Sequence, residues 1–245
     1  MWYRVLVLSV LCLWPALSHA AVTFDATSYA ECASCSSLSL SHTVAAGSNL
    51  GLAAGVTNFE ATGCCDYVST VTYNSVGLTN HCWNETSPTA PRKVVEWGYL
   101  AAPTTGANTL AVTAGGPLSD LSVGVTCASG VNQTTPMGTC ANATGTSTTP
   151  STTVTSVVGD LVLDAGVIDH VGTLTVDASQ TQLWNDIDSS GNIKKFGSRE
   201  DGAASVVMSW SNSTGSPYWT LTGISLQQAG GGVVVPGMTL LGVGQ

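Results

Sequence analysis

The sequence predicts an all-β fold: an antiparallel β-sandwich, jelly-roll or immunoglobulin-like, with about twelve strands. Three observations predict it. Apolar residues alternate with Ser, Thr and Gly through most of the chain. Gly-, Pro- and Asn-rich stretches punctuate that alternation. No segment of useful length carries apolar residues at i, i+3, i+4 and i+7, the helical stripe. The clearest stretch is 94–127, which reads as three strands in a row. Val95, Trp97 and Tyr99 share one face, Leu110 and Val112 another, and Leu121, Val123, Val125 and Cys127 a third. Pro103 with Gly106, and then AGGP (114–117), read as the turns between them.

In chain order, residues 1–20 read as a signal peptide. Arg4 supplies the positive start, 5–13 a short apolar run, and Ser18-His19-Ala20 the small residues before a cut at Ala21. The run is too short to span a bilayer, so no transmembrane segment is expected after cleavage. Residues 21–228 read as one sandwich domain and 229–245 as a Gly-rich, apolar C-terminal tail. Within the domain, 31–37 is turn-rich. Residues 38–44 alternate, with Leu38, Leu40, His42 and Val44 together, and 50–56 alternate likewise. Residues 63–73 form a Val-, Thr- and Tyr-rich strand. The stretches 81–93, 129–151 and 181–202 read as long polar loops. Short strands are expected on either side of Gly159-Asp160, at 173–176, at 204–210 and at 217–227.

Composition narrows the function. Net charge is −9, and only 9% of residues are charged. Apart from Arg4 the basic residues are Arg92, Lys93, Lys194, Lys195 and Arg199, too few for a phosphate-backbone footprint. No nucleic-acid partner is expected.

Beyond Cys12 there are Cys32, Cys35, Cys64, Cys65, Cys82, Cys127 and Cys140. A secreted chain forms disulfides by default. Cys127 and Cys140 bracket one loop, and their pairing is expected, contributing about 3 kcal/mol by loop closure. Cys64 and Cys65 are adjacent and poorly placed to bond each other, so each is expected to reach Cys32, Cys35 or Cys82. The leftover thiol allows an intermolecular link. The rival reading is zinc held by Cys32, Cys35, Cys64, Cys65, His81 and Cys82.

Other candidate sites are sparse. Asp186, Asp188 and Ser190, followed by Gly191 and Ile193, match the first half of a calcium loop. Its second half fails, because position twelve is Gly197 and Lys194 and Lys195 intrude. Trp83 and Trp184 lie in the polar stretches, where aromatic rings could stack on the apolar faces of sugars. Trp97, Trp210 and Trp219 are expected in the core, and His42 as a satisfied core histidine. Asp160, Asp164, Asp169 and Asp177 would serve glycoside hydrolysis only as a facing pair. The sequence contains neither G-x-S-x-G nor H-E-x-x-H. Asn84, Asn132, Asn142 and Asn212 begin N-x-[ST] sequons.

The phrases SHTVAAGSNLGLAAGV (41–56), VSTVTYNSVGLT (68–79), VEWGYLAAPTTGANTLAVT (95–113), GVNQTTP (130–136) and the closing SVVMSW and WTLTGISL occur in an order that resembles a family of secreted or surface β-sandwich modules. That family is frequent in bacterial and environmental sequences. The resemblance covers most of 38–228, implies a jelly-roll or immunoglobulin-like sandwich, and brings no catalytic residue. The N-terminal cysteine pair and Cys127 depart from the family's usual pattern.

The leading expectation is therefore a secreted, non-enzymatic surface or structural module, able to self-associate through the tail or the odd cysteine. The alternative is a carbohydrate-binding module for surface glycans, using Trp83 or Trp184 with calcium at Asp186, Asp188 and Ser190. A glycoside hydrolase or lyase ranks third.

Overall fold

In the computed structural model, the described residues are 20–61, 68–86, 91–169, 172–188 and 191–230. The signal-peptide reading of 1–20 (Ala20 apart), Cys64, Cys65, Ser190 and the tail beyond Gly230 lie outside them. The chain is all-β, a layered antiparallel sandwich. Fifteen strands run in order: β1 (Thr23–Val44), β2 (Gly51–Glu60), β3 (Val68–Tyr73), β4 (Val76–Gly77), β5 (Thr79–Glu85), β6 (Arg92–Ala101), β7 (Gly106–Ser129), β8 (Ala141–Thr146), β9 (Ser151–Val154), β10 (Leu161–Asp169), β11 (Leu174–Val176), β12 (Thr181–Ile187), β13 (Ile193–Asp201), β14 (Val206–Asn212) and β15 (Tyr218–Leu226).

The first sheet is built on the ribbon of β1 and β7, paired from Thr23↔Ser129 to Val44↔Gly106. The far edge of β7 is shared: β2 takes its second half and β3 its first. β6 and then β5 extend the sheet beyond β2. The expected turn at 114–117 is instead a bulge. Cys35 pairs Leu118 and Ser37 pairs Thr113, so Ala114, Gly115, Gly116 and Pro117 lie opposite Ser36 alone. The turn chemistry therefore bends the strand without ending it. Hence 94–127 holds two strands, β6 and β7, where three are expected.

At this bend the ribbon doubles back over its own sheet. Ser28 and His42, at opposite ends of β1, meet at 2.9 Å between Oγ and Nδ1. The Ala45 N–H donates to Asp25 Oδ2 at 2.9 Å, and Tyr73 O–H donates to the His42 carbonyl at 3.1 Å. The enclosed core holds Leu52, Val56, Leu110, Val112, Val123 and Val125, with Leu38 and Leu40 against it. His42 is buried there. Its Nδ1 is paired but its Nε2 has no partner, and burial lowers its pKa. The expectation of a satisfied core histidine is thus only half met.

The second sheet runs β12-β13-β10-β15-β8 and the third β11-β14-β9. β10 is buried on both faces. Leu163, Ala165 and Val167 pack toward Trp97 and Trp184. Val162 meets Val154 and Met208 on the other side, and Ile168 joins Phe196, Trp210 and Trp219. The second sheet is therefore the middle layer.

All three expected long loops contain strands. The stretch 81–93 contains β5, 129–151 contains β8, and 181–202 contains the β12–β13 hairpin. Their polar residues hid the pattern because several are buried in pairs. Lys195 Nζ reaches across to Glu31 at 2.6 Å and Asp120 at 2.7 Å, and Lys93 Nζ meets Asp169 at 2.7 Å.

Among the described residues the disulfides are Cys32–Cys35 and Cys82–Cys140, so Cys32, Cys35 and Cys82, the partners expected for Cys64 and Cys65, are bonded elsewhere. The expected Cys127–Cys140 bond is absent. Cys127 points into the folded ribbon, whereas Cys140 packs in the core between the first two sheets, so one sheet separates them. Cys127 is a buried free thiol donating to Asp25 Oδ2 at 3.2 Å.

Two outcomes follow for stability. Cys82–Cys140 spans 58 residues of sequence, so Cys82→Ser is expected to cost about 4 kcal/mol in urea unfolding. Gly124 and Gly197 face the Trp184 indole from the two sheets with no room for a Cβ. Gly197→Ala is expected to cost about 1–3 kcal/mol or more in the same assay, by overpacking.

Candidate functional site

The doubled-back half of the first sheet is narrower than the half beneath it. It ends at β3, leaving a seam between β3 and β6. A cavity of about 180 Å³ sits in this seam, lined among others by Val68, Thr70, Val71, Leu78, Asn80 and Glu96. One end is closed by the Leu78 N–H donating to the Val71 carbonyl at 2.8 Å. Glu96, on β6, reaches the β3 side by accepting the backbone N–H of Val68.

Glu96 is buried, and its Oε1 has no hydrogen-bond partner. Burial pushes its pKa up to about 7, against the opposing pull of the Val68 N–H and the Arg92 charge. Directly across on β5 stands Trp83, paired with Glu96 in the ladder. Paired side chains share a face at about 5 Å. Trp83 is 42% exposed, the most exposed tryptophan among the described residues. Val56, Val71, Leu78 and Trp97 give the seam its apolar lining, Glu96 gives it one acceptor atom with no donor, and the exposed Trp83 indole is the ladder neighbour of Glu96 on the adjoining strand. Groups of these kinds match a ligand that carries a hydrogen-bond donor beside an apolar face.

Of the sequence-predicted residues, Trp97 lines the seam, and Trp83 stands beside it, across the β5–β6 ladder from Glu96. Trp184 is corrected: it lies between the first two sheets, 5% exposed and stacked on Tyr29, and offers no face to a ligand. Its position was obscured because Asn185 and Asp186, its neighbours, point the other way or sit at the strand end. Trp97, Trp210 and Trp219 are in the core, as expected. Asp188 Oδ1 accepts the N–H groups of Asn192 and Ile193, both at 2.8 Å, and Asp186 Oδ1 accepts that of Ile187. The segment is a β-hairpin turn, and Gly197, the last position of a calcium loop, lies in β13 under Trp184.

The four aspartates have separate duties. Asp160 accepts the backbone N–H groups of Val157 and Gln228. Asp164 is fully buried beneath Trp210 Nε1 at 2.8 Å and Ser198 Oγ at 2.8 Å; burial raises its pKa to about 6. Asp169 pairs with Lys93, and Asp177 caps its own turn through the Ser179 N–H. Of the zinc-type set, Cys32, Cys35 and Cys82 are in disulfides.

Glu96 was not singled out by sequence reasoning. The one available signal was an acid flanked by Val95 and Trp97 in an otherwise apolar strand. A larger polar cleft of about 340 Å³ lies near Asn132, Ser225 and Gln228. The chain matches no protein-family model, no curated protein and no solved structure.

The raised pKa of Glu96 sets a pH dependence. Folded Glu96 holds its proton to about pH 7, whereas its ordinary value is 4.5. The folded state therefore binds more protons between these limits, and stability falls as pH rises through them. Glu96→Gln should remove that part of the slope, stabilising the chain above pH 7 by on the order of 2–3 kcal/mol in urea titrations at pH 5 and pH 8.

Proposed function

We propose that this chain is a secreted, non-enzymatic extracellular module that contacts glycans through the Trp83–Glu96 seam. The observation that carries the reading is the exposed Trp83 indole on the same face as a buried carboxyl whose Oε1 has no partner. A sugar ring presents an apolar C–H face, which stacks on indole, and equatorial hydroxyls, which donate to such an oxygen. The surface supports contact of this neutral kind. Among the described residues, Arg92, Lys93 and Lys195 are buried, and Lys194 and Arg199 are half-buried. Secretion is supported by the leader-like residues 1–20, by two disulfides and by the resemblance to secreted surface modules. Among the described residues no helix is long and apolar enough to cross a membrane.

A structural, self-associating surface module is the second reading. It is favoured by the covalent and ionic stapling of the sheets through Cys82–Cys140, Lys93–Asp169 and Lys195–Asp120.

The test is affinity electrophoresis of the purified chain through gels containing neutral or acidic polysaccharides. Retardation is expected on at least one, and Trp83→Ala should weaken it about tenfold. Repeating the run with a chelator tests calcium at Asp186, Asp188 and Ser190. No retardation in any gel, with large assemblies in light scattering that vanish when 229–245 are deleted, would move the reading to the structural module.

A further inference from the structure

At β5 the Cys82–Cys140 disulfide, whose role so far is structural, has a histidine beside it that neither the fold nor the seam accounts for. β5 bulges at His81, between the pairs Asn80↔Gly98 and Cys82↔Trp97. A bulge re-aims the side chain it carries. His81 Nε2 lies 2.7 Å from the Gly138 carbonyl, and its ring meets Tyr99 edge-on at 5.9 Å. One ligand atom each from His81, Cys82 and Cys140 fall within 4.8 Å of one another.

We propose that His81, Cys82 and Cys140 form a redox-gated site for a thiophilic divalent cation, zinc(II) foremost. The disulfide is the closed form. Reduction by a dithiol delivers two electrons and two protons, breaks the S–S bond and leaves two thiols, while the reductant becomes a disulfide. The incoming cation then displaces both thiol protons and bonds two thiolates and one imidazole nitrogen.

Three features support the site. Two thiolates on one tetrahedral zinc sit about 3.8 Å apart, from Zn–S bonds of about 2.3 Å, so the sulfurs must part by about 1.7 Å from their bonded distance, within the reach of side-chain rotation. The S–S bond is not the only tie at this junction. Asn84 Nδ2 donates to the Ala143 and Leu221 carbonyls at 3.1 and 3.2 Å, and Asn142 Nδ2 donates to the Trp83 carbonyl at 3.1 Å. These bonds keep β5 beside β8 when the sulfurs part. Finally, a carbonyl accepting one imidazole N–H is the outer contact that orients metal-bound histidine. Two sulfurs and a nitrogen favour zinc or cadmium over calcium or magnesium. The cation would restore, in a reducing medium, the sheet-to-sheet staple that the disulfide makes in an oxidising one.

The experiment uses the full chain with Cys12, Cys32, Cys35, Cys64 and Cys65 replaced by Ser, titrated with cadmium(II) before and after reduction by a phosphine. The expected result is one cadmium bound, with a thiolate-to-metal charge-transfer band, only after reduction. Adding His81→Ala should weaken binding at least tenfold. Equal binding in the oxidised chain, or no change with His81→Ala, overturns the proposal. Should the multiple replacement fail to fold, the unaltered chain is reduced and followed by NMR during zinc addition. The His81 ring signals must then move while those of His42 stay, and an unmoved His81 overturns the site.

Discussion

The molecule depends on the bending of one ribbon. A straight strand of 22 residues, the length of β1, would reach about 70 Å. A domain of this size is only about 40 Å across. The ribbon must fold or leave the molecule, and Ala114–Pro117, opposite the single residue Ser36, is where it folds. Once doubled back, it encloses its own apolar face, and the Ser28–His42 contact joins the two ends of β1. The seam at Glu96 follows from the same bend. The overlying half stops at β3 and β4, and where it stops Glu96 is buried in the seam while Trp83, its ladder neighbour, is exposed.

Legibility from sequence followed the solvent contrast of each strand. β6 and the second half of β7 were legible because Val95 and Trp97, or Val123 and Val125, alternate with residues of a different kind. β5 and β13 were not, because burial there involves polar atoms. Lys195 is buried by virtue of Glu31 and Asp120, which are distant in sequence. Trp184 looks like a loop residue until Gly124 and Gly197 are seen to close on it from two sheets. The cysteine pairing failed for a related reason. Proximity in sequence favoured Cys140 with Cys127, but strand phase sends Cys127 to the opposite side of the sheet. The rim tryptophan was legible by type, and its carboxyl partner only through the β5–β6 register.

Charge is distributed to an unusual end. Arg92, Lys93 and Lys195 serve as internal ties, with Glu85, Asp169, and the Glu31 and Asp120 pair as their partners. A buried pair of this kind adds little net stability against an apolar replacement, but removing one partner is costly. Their effect is to lock the register between layers that hydrophobic contact alone would let slide. What remains outside is mostly hydroxyl, amide and carboxylate, with a few exposed apolar side chains such as Val158 and Tyr218, so the proposed glycan contact would rest on shape, stacking and hydrogen bonds.

The pairing of Thr23 with Ser129 has a consequence for biogenesis. The first strand to emerge from the ribosome has its partner more than a hundred residues downstream, so it waits, unpaired, while β2 to β6 are made. Such long-range closure is slow, and an unpaired strand edge is open to other chains throughout the delay. The β1 edge is polar along much of this length, with Thr27, Ser28, Glu31, Ser34, Ser36 and Ser37 in succession. Polar side chains along an edge disfavour such pairing with other chains, so the serine-rich stretch is suited to a strand whose partner is made late.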